Sequence, residues 1–184
     1  VSTWSILAPG PSLAAVRDSD LQGPVVAINT AVLAPLRVDV WSALDPPHKF
    51  TQILVRDEPL PVLWCKERQA KAWAKHGVRT WAYPDIEEDF RARFLPRTKP
   101  TFYTLNLTIF ATISRAVGEG ASVVRVFGAD MDGAGYAYGV DMMDRDARQW
   151  AQRWRDEQKV WDLAEREWSA HGARIDRPKP AGAE

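Results

Sequence analysis

The stretch "VFGADMDGAGYAYG" holds two carboxylates, Asp130 and Asp132, with Tyr136 behind them in a glycine-rich run. Carboxylates two residues apart can share a hard cation such as Mg²⁺ with substrate phosphates. Either can also take up a proton as a general base. The Tyr136 hydroxyl can donate to a departing phosphate. Asp-x-Asp also occurs in plain solvated loops, so the pair gains meaning only from what else converges on it. Near the start of the chain, "ILAPGPSLAAV" interrupts an apolar run with Pro9-Gly10-Pro11-Ser12. Gly10 allows a close backbone approach to a ligand or a positive φ, and Pro11 can begin a turn. Ser12 is expected at the N-cap of a following helix. Amides left free at that helix end attract phosphate. A capped strand-to-helix turn and a phosphate cradle are both compatible with the tetrapeptide. It is neither a Walker A loop nor a dinucleotide fingerprint, because the Lys and the further glycines are absent.

Other polar groups stand where apolar runs stop. "VVAINTAV" ends in Asn29 and Thr30, which can contact a nucleotide or form an Asx turn. "DVWSALDPP" ends in Asp45, which can reach a ribose hydroxyl or a metal, or cap a turn. Arg145 and Arg148 lie one turn apart after the glycine-rich loop. They can clamp phosphate charge or line a solvated face. His48 and His76 are isolated and read as surface or helix-end residues. Cys65 reads as a small buried hydrophobe.

Elements of regular structure must bring these residues together. Strands are predicted over Thr3–Ala8, Val25–Ile28, Asp39–Leu44, Leu60–Cys65, Val78–Tyr83 and Ser122–Phe127, with a short edge strand at Ala173–Ile175. Most are rich in β-branched and aromatic residues, as strands buried on both faces are. Helical patterns cover Lys66–His76, Thr104–Val117 and Asp144–His171, each followed by a glycine stop signal. The alternation predicts an α/β fold: a single Rossmann-like, doubly wound, mainly parallel sheet with helices on both faces. Ligands in such sheets lie beyond the carboxyl ends of the strands, where Ser12, Asn29, Asp45 and Asp130 fall. One nucleotide-binding domain is expected over residues 1–175, followed by a flexible Pro-rich tail over 176–184. Trp150, Trp154, Trp161 and Trp168 form a stripe on the longest helix. The stripe is expected to pack on the sheet or to seam a homodimer, with base stacking as the minor reading.

Composition narrows the partners. The 184 residues carry 24 Lys plus Arg and 24 Asp plus Glu, a net charge of zero. There is no global attraction to an acidic membrane or to nucleic acid, which remains conceivable only as an acceptor. No apolar run approaches the ~20 residues that span a bilayer, and no signal segment precedes the first strand. With a single cysteine, the chain is expected to be soluble and cytoplasmic.

The ordered set "GPS", "INT", "LDP" and "GAD", each after a predicted strand, resembles the MptE-like group. That group contains the archaeal 6-hydroxymethylpterin diphosphokinases. Its relatives are the bacterial family-42 sialyltransferases, and short phage-encoded proteins look similar. The resemblance runs from about Trp4 to Tyr138 and implies a Rossmann-like fold that grips a nucleotide with these loops. It implies that Gly10, Pro11 and Ser12 form the phosphate-side loop and that Asn29 contacts the nucleotide. Thr104 and Asn106 would hold the nucleotide from a helix start, and Tyr136 would bond the leaving phosphate. Asp45 matches the diphosphokinase side more closely. The sialyltransferases use a histidine base after the tyrosine loop, but residues 140–170 contain none. Asp132 also stands where those enzymes have a second tyrosine.

The expected function is a nucleotide-dependent transferase, glycosyltransferase-like, using a nucleotide-activated donor. Ser12, its neighbouring amides and Tyr136 would stabilise the leaving phosphate, with Mg²⁺ on Asp130 and Asp132. The base would be Asp130, Asp132 or Asp45. A diphosphokinase-type transferase using ATP and an inactive nucleotide-binding protein are the alternatives.

Overall fold

The computed structural model describes residues 1–83, 108–130, 137, 138 and 147–178, with backbone only for 83, 147–157 and 159. Seven strands form one sheet: β1 (Thr3–Leu7), β2 (Val25–Ile28), β3 (Val40–Ser42), β4 (Val62–Lys66), β5 (Thr80–Tyr83), β6 (Val123–Phe127) and β7 (Arg174–Asp176). Every pairing is parallel. The spatial order is β5-β4-β3-β2-β1-β6-β7. The chain therefore builds outward from β1 to β5, returns to lay β6 against the other side of β1, and ends on β7. The order reverses between β1 and β6. That is the topological switch point at which open α/β sheets leave a crevice.

Successive side chains of a strand point to opposite faces, and the core divides accordingly. On one face, Ile6, Val26, Ile28, Val124 and Val126 meet two helices, α3 (Thr108–Gly118) and α4 (Ala147–Ala170). α3 is apolar nearly all round and buried from Thr108 through Ser114, as a helix held between a sheet and a second helix must be. On the other face, Leu7, Val25, Ala27 and Phe127 are covered by 3-10 turns at Pro11–Ala15 and Asn29–Leu33. Further out, Trp41, Leu63 and Cys65 pack with α1 (Thr51–Leu54) and α2 (Glu67–Ala74). Trp41, Phe50 and Trp73 make an aromatic knot there, with ring centroids 5.0 to 5.7 Å apart.

Several expectations are corrected in detail. The helix predicted directly after β1 is a five-residue 3-10 turn, Pro11–Ala15. Its N-cap is Gly10, so Ser12 lies inside the turn rather than at its cap. The stop predicted at Gly118 comes later: α3 includes Gly118, and the left-handed turn is made by Gly120 at φ +96°. β3 spans only Val40–Ser42, shorter than the predicted Asp39–Leu44. The edge strand β7 extends to Asp176, and Arg177 follows it over the Trp161 ring at 4.7 Å.

The described half of the tryptophan stripe turns inward. Trp161 and Trp168 are buried against Phe110 of α3, with ring centroids 5.3 and 5.9 Å from it. Trp168 Nε1 donates to Ser114 Oγ at 2.9 Å. These two rings serve the chain's own core, not a seam with a second copy. Among the described residues no helix is long and apolar enough to cross a membrane.

Candidate functional site

At the switch point the β1–β6 pairing does not stop where the strands do. The Ala8 amide donates to the Phe127 carbonyl at 2.8 Å, and the Gly10 amide to the Gly128 carbonyl at 2.8 Å. The Ser12 amide then donates to Asp130 Oδ2, also at 2.8 Å. The Ala137 amide donates to the Pro9 carbonyl at 2.8 Å. Two loops 118 residues apart in sequence are thus zipped together.

This proximity explains the glycines. Gly10 has φ −64°, an ordinary value, so positive φ is not its purpose. A Cβ on Gly10 would overlap the Gly128 carbonyl and the Asp130 carboxylate. Gly128 does carry a positive φ, +71°, and its Cβ would overlap the Ala8 carbonyl. Gly10 therefore admits the neighbouring loop of the same chain.

The expected free amides are also corrected. Gly10 N–H goes to Gly128, Pro11 has none, Ser12 N–H goes to Asp130, and Leu13 N–H goes to the Gly10 carbonyl at 3.0 Å. A carboxylate oxygen stands on the Ser12 amide. Asp130 is half-buried, and among the described residues its other oxygen, Oδ1, has no hydrogen bond. The Ser12 hydroxyl likewise has no partner among the described residues. At this crevice the described residues thus offer a cation one open carboxylate oxygen, fewer than the several oxygens Mg²⁺ takes from protein and substrate. No three of His, Cys, Asp and Glu come together among the described residues.

The β2 end lies next to β1, with Leu7 beside Ala27 in the register. Asn29 follows at φ +50°, the one described non-glycine residue with a positive φ. Asparagine tolerates this region better than most residues, yet the position remains unusual. Two contacts hold it there. The Trp41 indole N–H donates to the Asn29 carbonyl at 2.9 Å, and Thr108 Oγ1 donates to Asn29 Oδ1 at 3.4 Å. Thr30 is 3% exposed, and its hydroxyl finds no partner among the described residues.

Asp45, beyond β3, pairs with Lys49 at 2.9 Å in a turn where both side chains are well exposed. That contact is a surface ion pair worth at most about 1 kcal/mol. The strand order sets Asp45 on the far side of β2 from the switch point.

Three buried polar neighbours of the site escaped the sequence reading. Ser42 at the end of β3 lies 2.7 Å from Thr112 of α3, both fully buried, and Thr112 donates to the Thr108 carbonyl at 2.7 Å. The one Thr112 proton is engaged, so Ser42 is the donor to Thr112. This chain of hydroxyls ties the first turn of α3 to the sheet. Its only sequence signal is a Thr–Thr pair four residues apart within an apolar helix. Of the remaining candidates, Thr104, Asn106, Asp132, Tyr136 and Arg145 lie outside the described residues. Arg148 falls in the first turn of α4 with backbone only. His48 and His76 are exposed, and Cys65 is buried, as expected.

No protein-family model and no curated protein matches the chain. Among solved structures it is similar to the sialyltransferase CST-II in complex with a trisaccharide acceptor and CMP. That match has a TM-score of 0.56 at 12% identity and covers 99% of this chain and 83% of the other. It is also similar to the sialyltransferase CstII from Campylobacter jejuni in complex with the substrate analogue CMP-3FNeuAc. There the TM-score is 0.53 at 13% identity, over 100% of this chain and 90% of that one. At such identities the likeness is one of fold.

Proposed function

We propose that this chain is a glycosyltransferase-like enzyme that binds a nucleotide-activated sugar across the carboxyl ends of β1, β2 and β6. The observation that carries the reading is the contact of Ser12 with Asp130 where the strand order reverses, with Asn29 at the end of the neighbouring strand β2. The two fold neighbours are complexes with CMP and with a CMP-sugar analogue, which favours a nucleotide sugar over ATP as donor.

In this reading Asn29 contacts the nucleotide, and the Ser12 hydroxyl meets the phosphate that leaves. Tyr136 joins it, as the sequence resemblance implies. An acceptor hydroxyl attacks the anomeric carbon, and the bond from that carbon to the phosphate oxygen breaks. The nucleoside monophosphate departs with the bonding electrons. The acceptor's proton passes to Asp130 Oδ1, while the Ser12 amide holds Oδ2 and fixes the angle of the carboxylate. General base catalysis of this kind contributes about 10²- to 10⁴-fold.

A thermal-shift panel of CMP, UDP, GDP and ATP derivatives tests the binding. A ligand at about 100 times its Kd stabilises the chain by about 2.7 kcal/mol. Asp130→Asn retains an oxygen to accept from Ser12 but loses the basic carboxylate. It is expected to bind donor normally and to lower kcat by about two orders of magnitude or more. Failure of every nucleotide to shift the melt removes the reading. Diphosphate transfer from ATP moves the chain to the kinase-type reaction, and binding without turnover leaves a nucleotide-binding protein.

A further inference from the structure

We propose that Trp41 is a positioning residue for the donor's phosphate: its indole turns the Asn29–Thr30 peptide so that Thr30 presents its amide to the crevice, with the Thr30 hydroxyl as a second donor. The inference rests on the proposed nucleotide site. It adds a phosphate contact made by main chain and set by a core residue that touches no ligand.

The contact that turns the peptide has only one sense. An indole N–H donates and a backbone carbonyl accepts. Trp41 Nε1 donates to the Asn29 carbonyl at 2.9 Å. The Trp41 ring is fully buried and packs on Phe50 and Trp73, so it is an anchor that does not follow the loop. The peptide after Asn29 is trans and planar, and its N–H points opposite to its carbonyl. β3, which carries Trp41, and β1 lie on opposite sides of β2. With the carbonyl on Trp41, the Thr30 N–H is turned away from β3 and toward the β1 side, where the crevice opens. Asn29 accepts φ +50° in making this turn, and a 3-10 turn follows at once. Successive amides in such a left-handed turn converge on an anion.

Thr30 gives an independent sign of a missing partner. It is 3% exposed, and neither its N–H nor its hydroxyl has a hydrogen-bond partner among the described residues. Buried donors left unpaired are costly and call for an explanation. The Pro9–Ser12 loop has no such donors to offer, because its amides are taken by the chain itself. Leu7 lies beside Ala27, so both loops leave the sheet at the same level. The phosphate expected at the first loop is therefore assigned to the second.

CMP and cytidine differ only in the phosphate, and together they isolate this contact. In the ¹⁵N-labelled full chain, the Thr30 amide should shift on adding CMP and stay in place with cytidine. Trp41→Phe keeps a buried ring and deletes the N–H. It should lower CMP affinity about ten-fold, the scale of one hydrogen bond to a charged group, and leave cytidine within about two-fold. Thr30→Val keeps the amide and deletes the hydroxyl. It should lower CMP affinity by about three-fold or more, again sparing cytidine. A merely structural loss weakens both ligands alike, so equal falls in Trp41→Phe overturn the positioning role, as does unchanged CMP affinity. Unchanged CMP affinity in Thr30→Val overturns the part given to the hydroxyl. A Thr30 amide that ignores CMP while CMP binds wild type overturns the phosphate contact and leaves the nucleotide reading standing. That arm needs no variant, so it decides even if Trp41→Phe fails to fold. A wild type that binds neither CMP nor cytidine overturns both.

Discussion

Gly10 and Gly128 tolerate no Cβ, because each lies against backbone or carboxylate of the other's loop. Gly10→Ala should therefore destabilise the chain by about 1–3 kcal/mol in urea, the usual cost of overpacking. Gly118→Ala is the control. A Cβ there meets nothing, and the residue ends a helix at ordinary φ. It should be neutral or stabilising by up to about 1 kcal/mol. Equal effects at the two sites would show that the loops relax around a methyl. Gly10, Ser12 and Asp130 were each legible as candidates, because turn residues and carboxylates at strand ends carry local signals. Their mutual contact was not legible. A hydrogen bond across 118 residues has no local signature, and the amides expected to await a phosphate are occupied by the chain itself. The positive φ of Asn29 was equally hidden, since an Asn after a strand suits several turns.

Elements read better than residues where periodicity governs them. Runs rich in β-branched and aromatic residues marked the strands, and Trp161 and Trp168 of the stripe marked the inward face of α4 where its side chains are described. Polar contacts buried inside that packing were not marked. The Trp168 indole reaches Ser114 on α3, where both residues are at most 1% exposed. Trp168→Phe keeps an aromatic ring but leaves the Ser114 hydroxyl buried and unpaired. The expected loss is about 1–3 kcal/mol from that group, beyond the lost volume. Adding Ser114→Ala should recover part of it, and a double-mutant cycle by chemical denaturation measures the coupling. Strict additivity would mean that the bond contributes nothing.

Across the molecule, alternating strands and helices announced a parallel, doubly wound sheet, but not the strand order. Placing β6 beside β1 rather than beyond β5 depends on pairing that no local pattern encodes. The order predicts a gradient of protection. β1 and β2 are paired on both sides and covered on both faces, whereas β5 is an edge strand with Trp81 half exposed. Native-state hydrogen exchange should be slowest at Ile6, Val26 and Val126 and faster by orders of magnitude along β5 and β7. Uniform protection across the sheet would contradict this arrangement.

The zipper between the first and sixth strands also orders events in time. During synthesis β1 through β5 exist before residue 123 does, and each can pair with the strand made just before it. The crevice has only one wall until β6 arrives. Closing a loop of that size carries an entropic cost of about 4 kcal/mol, set mainly by the logarithm of its length. Asp130 reaches the Ser12 amide only after that closure, so an unfinished chain lacks the carboxylate that the proposed reaction uses. Under the proposed reaction, competence is then acquired abruptly and late, and an abandoned translation product ending short of β6 should not consume an activated sugar.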